Sequence, residues 1–164
     1  MKVSQIDWSS WIPTDVATLV FVFRNEEVLL IRKKRGLGAG KINAPGGKVD
    51  PGETLEQAAI RELEEEVCVC VENLDYVGQH HFQFVDGYAM HVHVYRTERY
   101  TGDPQETEEA IPMWVPIDEI PYDEMWEDDR IWIPYMLKGI VFTGWYVFED
   151  SAMLDVVIKE HTPS

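Results

Sequence analysis

The chain has 164 residues, 45% of them hydrophobic and 27% charged, enough apolar mass for one globular domain with a sizeable core over 1–164. Its 30 acidic and 14 basic residues leave a net charge of -16. That balance excludes the basic footprint expected for a nucleic-acid polymer or an anionic membrane, yet permits a small phosphorylated ligand bridged by divalent cations.

The opening MKVSQIDWSSWIPTD (1–15) has neither the apolar centre of a secretory signal nor the Arg-rich face of a transit peptide. No run of about 18 apolar residues follows, so no transmembrane helix is predicted, and a cytoplasmic monomer is expected. ATLVFVF (17–23) and EVLLIRKK (27–34) read as two strands joined by a tight turn at 24–26, followed by the glycine-rich loop GLGAGK (36–41). Lys33 beside that loop is a candidate phosphate contact.

Next comes GGKVDPGETLEQAAIRELEEEV (46–67). Thr54 and Gln57 form a capping box, and Leu55, Ala58, Ala59, Leu63 and Val67 recur at helical spacing, so a helix is predicted over 54–67. On that helix Glu62, Glu65 and Glu66 fall at i, i+3 and i+4 and converge within one turn, where like charges repel. An oxygen-rich cluster of this kind suits a hard cation such as Mg²⁺ or Mn²⁺; a solvated acidic face has the same periodicity. Arg61 lies one turn before Glu65 and can orient a carboxylate, while Glu53 at the helix entrance can bond backbone N–H groups or Arg61. Cys68 and Cys70, the only cysteines, are too close for an ordinary disulfide and too few for a zinc site, and are expected as reduced, mostly packed thiols.

LDYVGQHHFQFVD (74–86) and YAMHVHVYRTERY (88–100) read as a long antiparallel pair turning at Asp86–Gly87. Phe82 and Phe84 alternate along one strand, so one is expected to face a pocket and the other the core; His80, His81, His91 and His93 read as sheet-surface or core residues. An acidic loop, DPQETEEAIP (103–112), leads to a short strand, MWVPI (113–117). One or two helical turns and a proline-broken helix should follow within 117–139, before a closing hairpin of IVFTGWYVFED (140–150) and AMLDVVIKE (152–160). Hairpins with few helices point to α/β in the broad sense (α+β type), a mixed, mainly antiparallel sheet.

WEDD (126–129) has its own chemistry. An indole face can stack a purine, and two adjacent carboxyls, one kept protonated by a pocket, set a donor beside an acceptor for the purine's edge. A core aromatic followed by a solvated helix start is the plainer alternative.

Gly47, five residues, Glu53, seven residues, Arg61-Glu62-Leu63, one residue, Glu65-Glu66, one residue, Cys68-Val69: this spacing resembles the Nudix box GX5EX7REUXEEXGU at every position except Cys68, which replaces a glycine. The resemblance implies a Nudix fold, with the sheet sandwiched between helices, and a Mg²⁺-dependent hydrolase (Mn²⁺ an alternative) that cleaves a phosphoanhydride. It implies metal ligation by Glu62, Glu65, Glu66 and the Gly46 carbonyl, with Glu53 and Arg61 supporting the helix. The glycine replaced by Cys68 normally ends the helix in a left-handed conformation; a side chain there costs on the order of 1 kcal/mol unless the helix ends differently.

Beyond the box, residues 16–160 are similar to the oxidised-purine nucleoside triphosphatases of the family, through KKRGLGAGKINAPGGKVDPGE, VGQHHFQF, HVHVY and WEDDRIW. That likeness implies hydrolysis of 8-oxo-dGTP or 2-hydroxy-dATP to the monophosphate and pyrophosphate, cleansing the nucleotide pool. It assigns Trp126, Asp128, Asp129 and Asn43 to the base, Thr18, Phe82, Met90 and Trp132 to the cavity wall, and Glu109 to metal binding or water activation. Leu37 stands where those relatives carry phenylalanine, which leaves open another nucleotide such as ADP-ribose or a dinucleotide polyphosphate. A catalytically silent nucleotide-binding module is the reading from a different class.

Overall fold

A computed structural model describes residues 1–161. Nine strands and two α-helices follow in chain order among these residues: β1 (Asp15–Arg24), β2 (Glu27–Lys33), β3 (Ile42–Asn43), β4 (Gly46–Lys48), α1 (Leu55–Val67), β5 (Asp75–Phe84), β6 (Ala89–Thr97), β7 (Ala110–Pro116), α2 (Asp129–Leu137), β8 (Val141–Glu149) and β9 (Ala152–His161). The sheet runs β3-β2-β1-β6-β5-β8-β9, with β4 on β1 and β7 on β2. Only the β1–β6 and β5–β8 pairs are parallel, which makes it the mixed, mainly antiparallel sheet expected.

Side-chain alternation along β1 and β2 distributes the core between two faces. Val20, Val22, Leu29 and Ile31 pack on Ala59, Leu63 and Val67 of α1. Phe21, Phe23, Val28 and Leu30 pack on Trp132, Ile133 and Met136 of α2. The two helices therefore cover opposite faces. Leu63 is fully buried, and truncating it to alanine should cost about 2–5 kcal/mol.

β1 changes partner along its length, and this creates the site. It pairs with β2 only at Phe23–Val28 and Arg24–Glu27, and with β4 at Ala17, Thr18 and Leu19. The two long strands fork apart, and the segment carrying β3 and β4 fills the fork. Gly46 is needed there, because a Cβ would overlap the Thr18 carbonyl. These two short strands were not legible as strands, since neither reaches the length at which alternation shows.

α1 starts on the predicted capping box, with Thr54 accepting from the Gln57 N–H and the Gln57 side chain accepting from the Thr54 N–H. It ends on Cys68, which adopts the left-handed conformation at φ 63° and ψ 29° and donates its N–H to the Glu64 carbonyl. The cysteine thus takes the glycine's backbone role. Both thiols are exposed, which corrects the expectation that they are packed: Cys68 sits at the helix end and Cys70 in a bridge with Thr101 at the surface. A second correction concerns the later helix. α2 runs through Pro134 unbroken. The missing proline N–H would have met only the carbonyl of Arg130, an exposed residue.

Candidate active site

A cavity of about 300 Å³ passes through the fork. Its lining draws on both faces of the sheet: Thr18, Ile31 and Glu66 from the α1 side, and Ala17, Val92 and Trp132 from the α2 side. All nine residues expected to bind substrate line it: Thr18, Lys33, Asn43, Phe82 and Met90, together with Trp126, Asp128, Asp129 and Trp132. Phe82 and Phe84 both do so, which corrects the expectation that one faces the core: two positions apart on a strand, they share a face. At the end of β5, Phe84 meets Tyr88 and Trp126.

At one end stands Trp126. Phe84 and Phe148 meet its ring edge-on, at centroid distances of 6.3 and 5.6 Å. The glycine-rich loop backs it so closely that a Cβ at Gly38 would lie 2.8 Å from the indole nitrogen. Next to it, Asp128 and Asp129 are only 3% and 4% exposed. The Trp132 indole N–H donates to both, at 3.0 and 2.9 Å. Burial pushes the Asp128 carboxyl up to about 7 and, with the Asp128 charge beside it, Asp129 well above the ordinary carboxylate range. The pair therefore retains a proton at neutral pH, donor beside acceptor. Asp129 Oδ2 and Thr18 Oγ1 are buried with no partner within the described residues, a cost that a ligand in the cavity removes. The Asn43 Oδ1 accepts the Ala44 N–H at 2.8 Å, leaving its amide hydrogens for the cavity.

At the other end are the carboxylates. Glu62, Glu66 and Glu109 each offer an oxygen within 4.8 Å of the others. Glu66 also lines the cavity and is 4% exposed. Burial pushes its carboxyl up to about 8, partly opposed by the Gly46 backbone N–H; Glu109 and Glu62 add to the rise. Burial likewise raises Glu62. Three converging, partly buried carboxylates repel one another, and a hard divalent ion relieves that repulsion. The motif glycine has a steric reason: a Cβ at Gly47 would collide with the Glu62 carboxylate.

Arg61 organises this end from the side. It bonds Glu53 at 2.7 and 2.8 Å, Glu62 at 2.8 Å, Glu65 at 3.2 Å and the Lys48 carbonyl at 3.1 Å. The guanidinium, aided by the Asp50 N–H, holds Glu53 down to about 2. Glu65 stands apart from the carboxylate trio. Its side chain is 57% exposed and turned to Arg61. Glu109 comes from the acidic loop, 42 positions beyond the end of the helix at Val67, where its own contact is Arg35 at 3.2 Å.

The histidines divide. His81, His91 and His93 are half-buried, with Trp8 and Trp11 packed on His81 and Trp11 also on His91. They form no metal cluster among the described residues. His80 faces the other way, 1% exposed in the cavity wall. Sequence reasoning also missed Phe148 and Tyr88 in the lining. For Phe148 a signal existed: Phe142, Tyr146 and Phe148 share one face of a strand at even spacing.

No described helix is long and apolar enough to cross a membrane. A comparison with protein families matches the NUDIX domain to residues 13–136. An oxidized purine nucleoside triphosphate hydrolase of Danio rerio is 46% identical over 143 residues, covering 87% of this chain and 90% of the relative. The corresponding Mus musculus protein is 44% identical over 135 residues, covering 82% of this chain and 86% of the relative. Among solved structures, a MutT protein from Bacillus halodurans superposes with a TM-score of 0.79 at 23% identity, covering 88% of this chain and 97% of that one, which speaks to fold. The chain belongs to the NUDIX family of hydrolases.

Proposed function

We propose that this chain, as a single domain and a monomer, hydrolyses oxidised purine nucleoside triphosphates to the monophosphate and pyrophosphate, using Mg²⁺. One observation carries the reading: a single cavity holds Trp126, Asp128 and Asp129 at one end and Glu66 at the other. The names of the Danio rerio and Mus musculus relatives support the same substrate class.

In this reading the base stacks on Trp126, a contact worth roughly 1–3 kcal/mol. The carboxyl pair, carrying one proton, reads the polar edge of the purine, and Asn43 donates from its amide. Thr18, Phe82, Met90 and Trp132 shape the wall. Lys33 reaches the phosphates. Glu62, Glu66 and Glu109 hold the divalent ion, with Glu65 and the Gly46 carbonyl as further ligands. The all-oxygen donor set favours Mg²⁺, with Mn²⁺ able to replace it. Such an ion neutralises phosphate charge, lowers the pKa of water and stabilises the leaving oxygen. Glu53 and Arg61 position these ligands, and Glu109 or a helix carboxylate takes the proton from the attacking water.

The test is hydrolysis of a panel of nucleotides by the purified protein, followed by chromatographic identification of every phosphorylated product. Oxidised purine triphosphates should give the highest kcat/KM. Preference for ADP-ribose or a dinucleotide polyphosphate would overturn the substrate assignment, and nucleotide binding without turnover would mark a silent module.

A further inference from the structure

Besides the acidic pair, the cavity wall holds a further polar side chain, His80, partnered by Tyr146. His80 on β5 is fully enclosed, its ring against Trp132 at a centroid distance of 4.6 Å and against Phe82 at 5.3 Å. Its Nδ1 lies 2.8 Å from the Tyr146 hydroxyl. Its Nε2 is buried without a partner among the described residues. The neighbouring strand is adapted to this arrangement. Gly144 stands opposite His80 in the β5–β8 register, and any Cβ at 144 would collide with the Tyr146 hydroxyl.

The tautomer follows from the hydrogen-bond inventory. No other acceptor is in reach of the Tyr146 hydroxyl among the described residues, so that hydroxyl donates to Nδ1. The imidazole proton then resides on Nε2. Burial, reinforced by His81, His91 and His93, keeps the ring neutral by lowering its pKa well below the ordinary value. His80, which lines the same cavity as the acidic pair, therefore carries a neutral N–H donor whose ring is held in place by Tyr146. A buried unpaired donor is costly, and a carbonyl oxygen relieves that cost.

We infer that His80 is a specificity-determining residue whose Nε2–H donates to a carbonyl oxygen of the bound purine, with Tyr146 as the positioning residue that sets its tautomer. The inference rests on the substrate class proposed above. It adds a donor for an oxo group to the edge readout by Asp128 and Asp129. A site built around such a donor discriminates against bases that lack the matching acceptor, because the donor is then left unpaired.

The experiment measures kcat and KM for 8-oxo-dGTP in the wild type, His80→Leu, His80→Gln, Tyr146→Phe and the His80→Leu/Tyr146→Phe double variant, with Tm recorded for each. His80→Leu should lose about tenfold in kcat/KM, carried by KM while kcat stays within about twofold. His80→Gln, which restores a donor near the Nε2 position, should recover to within about threefold of wild type. The double variant, whose wall is again fully apolar and matched, should fold and lose no more than His80→Leu alone. A folded double variant with wild-type KM would overturn the inference and leave the pair a core contact. Failure of the wild type on every oxidised purine triphosphate would instead sink the proposed function, and this inference with it.

Discussion

Arg61 and Glu53 meet through two parallel contacts, Nε to Oε2 at 2.7 Å and Nη2 to Oε1 at 2.8 Å. The remaining guanidinium nitrogen serves Glu62 and Glu65. One cation thus fixes the direction of a helix carboxylate that belongs to the trio with Glu66 and Glu109. A fork of this kind is not available to lysine. Arg61→Lys should lower activity by about 10–100-fold and move the Mg²⁺ titration to higher concentration. An unchanged Mg²⁺ titration would remove Arg61 from the positioning role.

Glu66 is buried with its carboxyl pushed up to about 8, so without a cation it sits in an unfavourable place. A divalent ion at saturating concentration, about 100 times its dissociation constant, stabilises the folded state by about 2.7 kcal/mol, or roughly 5–11 °C in Tm for a chain of this size. Glu66→Gln should lose most of that Mg²⁺-induced shift and at least about tenfold in turnover. Thermal melts with EDTA and with Mg²⁺ make the comparison; an equal shift in the variant would contradict the ligand assignment.

The acidic pair has a pH signature with a definite sign. Asp128 and Asp129 titrate near 3.8 in the unfolded chain and higher when folded, Asp128 at about 7 and Asp129 above the usual range, chiefly through burial. The folded state therefore binds more protons across that window. The stability contributed is fully present below pH about 4 and is lost as pH rises through about 7 and beyond. Base readout by a donor and an acceptor should weaken in the same direction. Tm measured from pH 5 to 9 should fall more steeply for the wild type than for Asp129→Asn, which cannot titrate. Parallel curves would show that the pair is not protonated in the folded chain.

Cys68 ends α1 with a positive φ that glycine accepts without strain. Cys68→Gly should raise stability by about 1 kcal/mol, or roughly 2–4 °C in Tm, and leave kcat unaltered. A lower Tm would mean that the cysteine side chain contributes more than its backbone costs.

The helix, its capping box and its carboxylates were legible because all lie within one 22-residue stretch whose spacing is set by the helical repeat. The sheet class followed from alternation in long hairpins. Less legible was the fork between β1 and β2, because the strands that fill it, at Ile42–Asn43 and Gly46–Lys48, are too short to carry a period. Glu65 shows the limit of spacing arguments: at i+3 from Glu62 it shares the turn but faces Arg61, whereas distant Glu109 completes the trio. The cavity itself depends on residues far apart in the chain, from Ala17 to Phe148, so it emerges only when the sheet closes. His80 and Tyr146 likewise lie 66 positions apart and are joined only by the parallel β5–β8 register.

The most direct measurement of the central claim is the product analysis of 8-oxo-dGTP and dGTP turned over by the wild type, Trp126→Ala and Glu66→Gln, with Mg²⁺ present. The account predicts monophosphate and pyrophosphate in equal amounts and a clear preference for the oxidised base. Trp126→Ala should raise KM by about 5–150-fold with kcat largely retained, and Glu66→Gln should lose kcat instead. Equal kcat/KM for the two nucleotides in the wild type, or a kcat defect in Trp126→Ala as large as that in Glu66→Gln, would contradict a cavity that reads the base at one end and cuts the phosphoanhydride at the other.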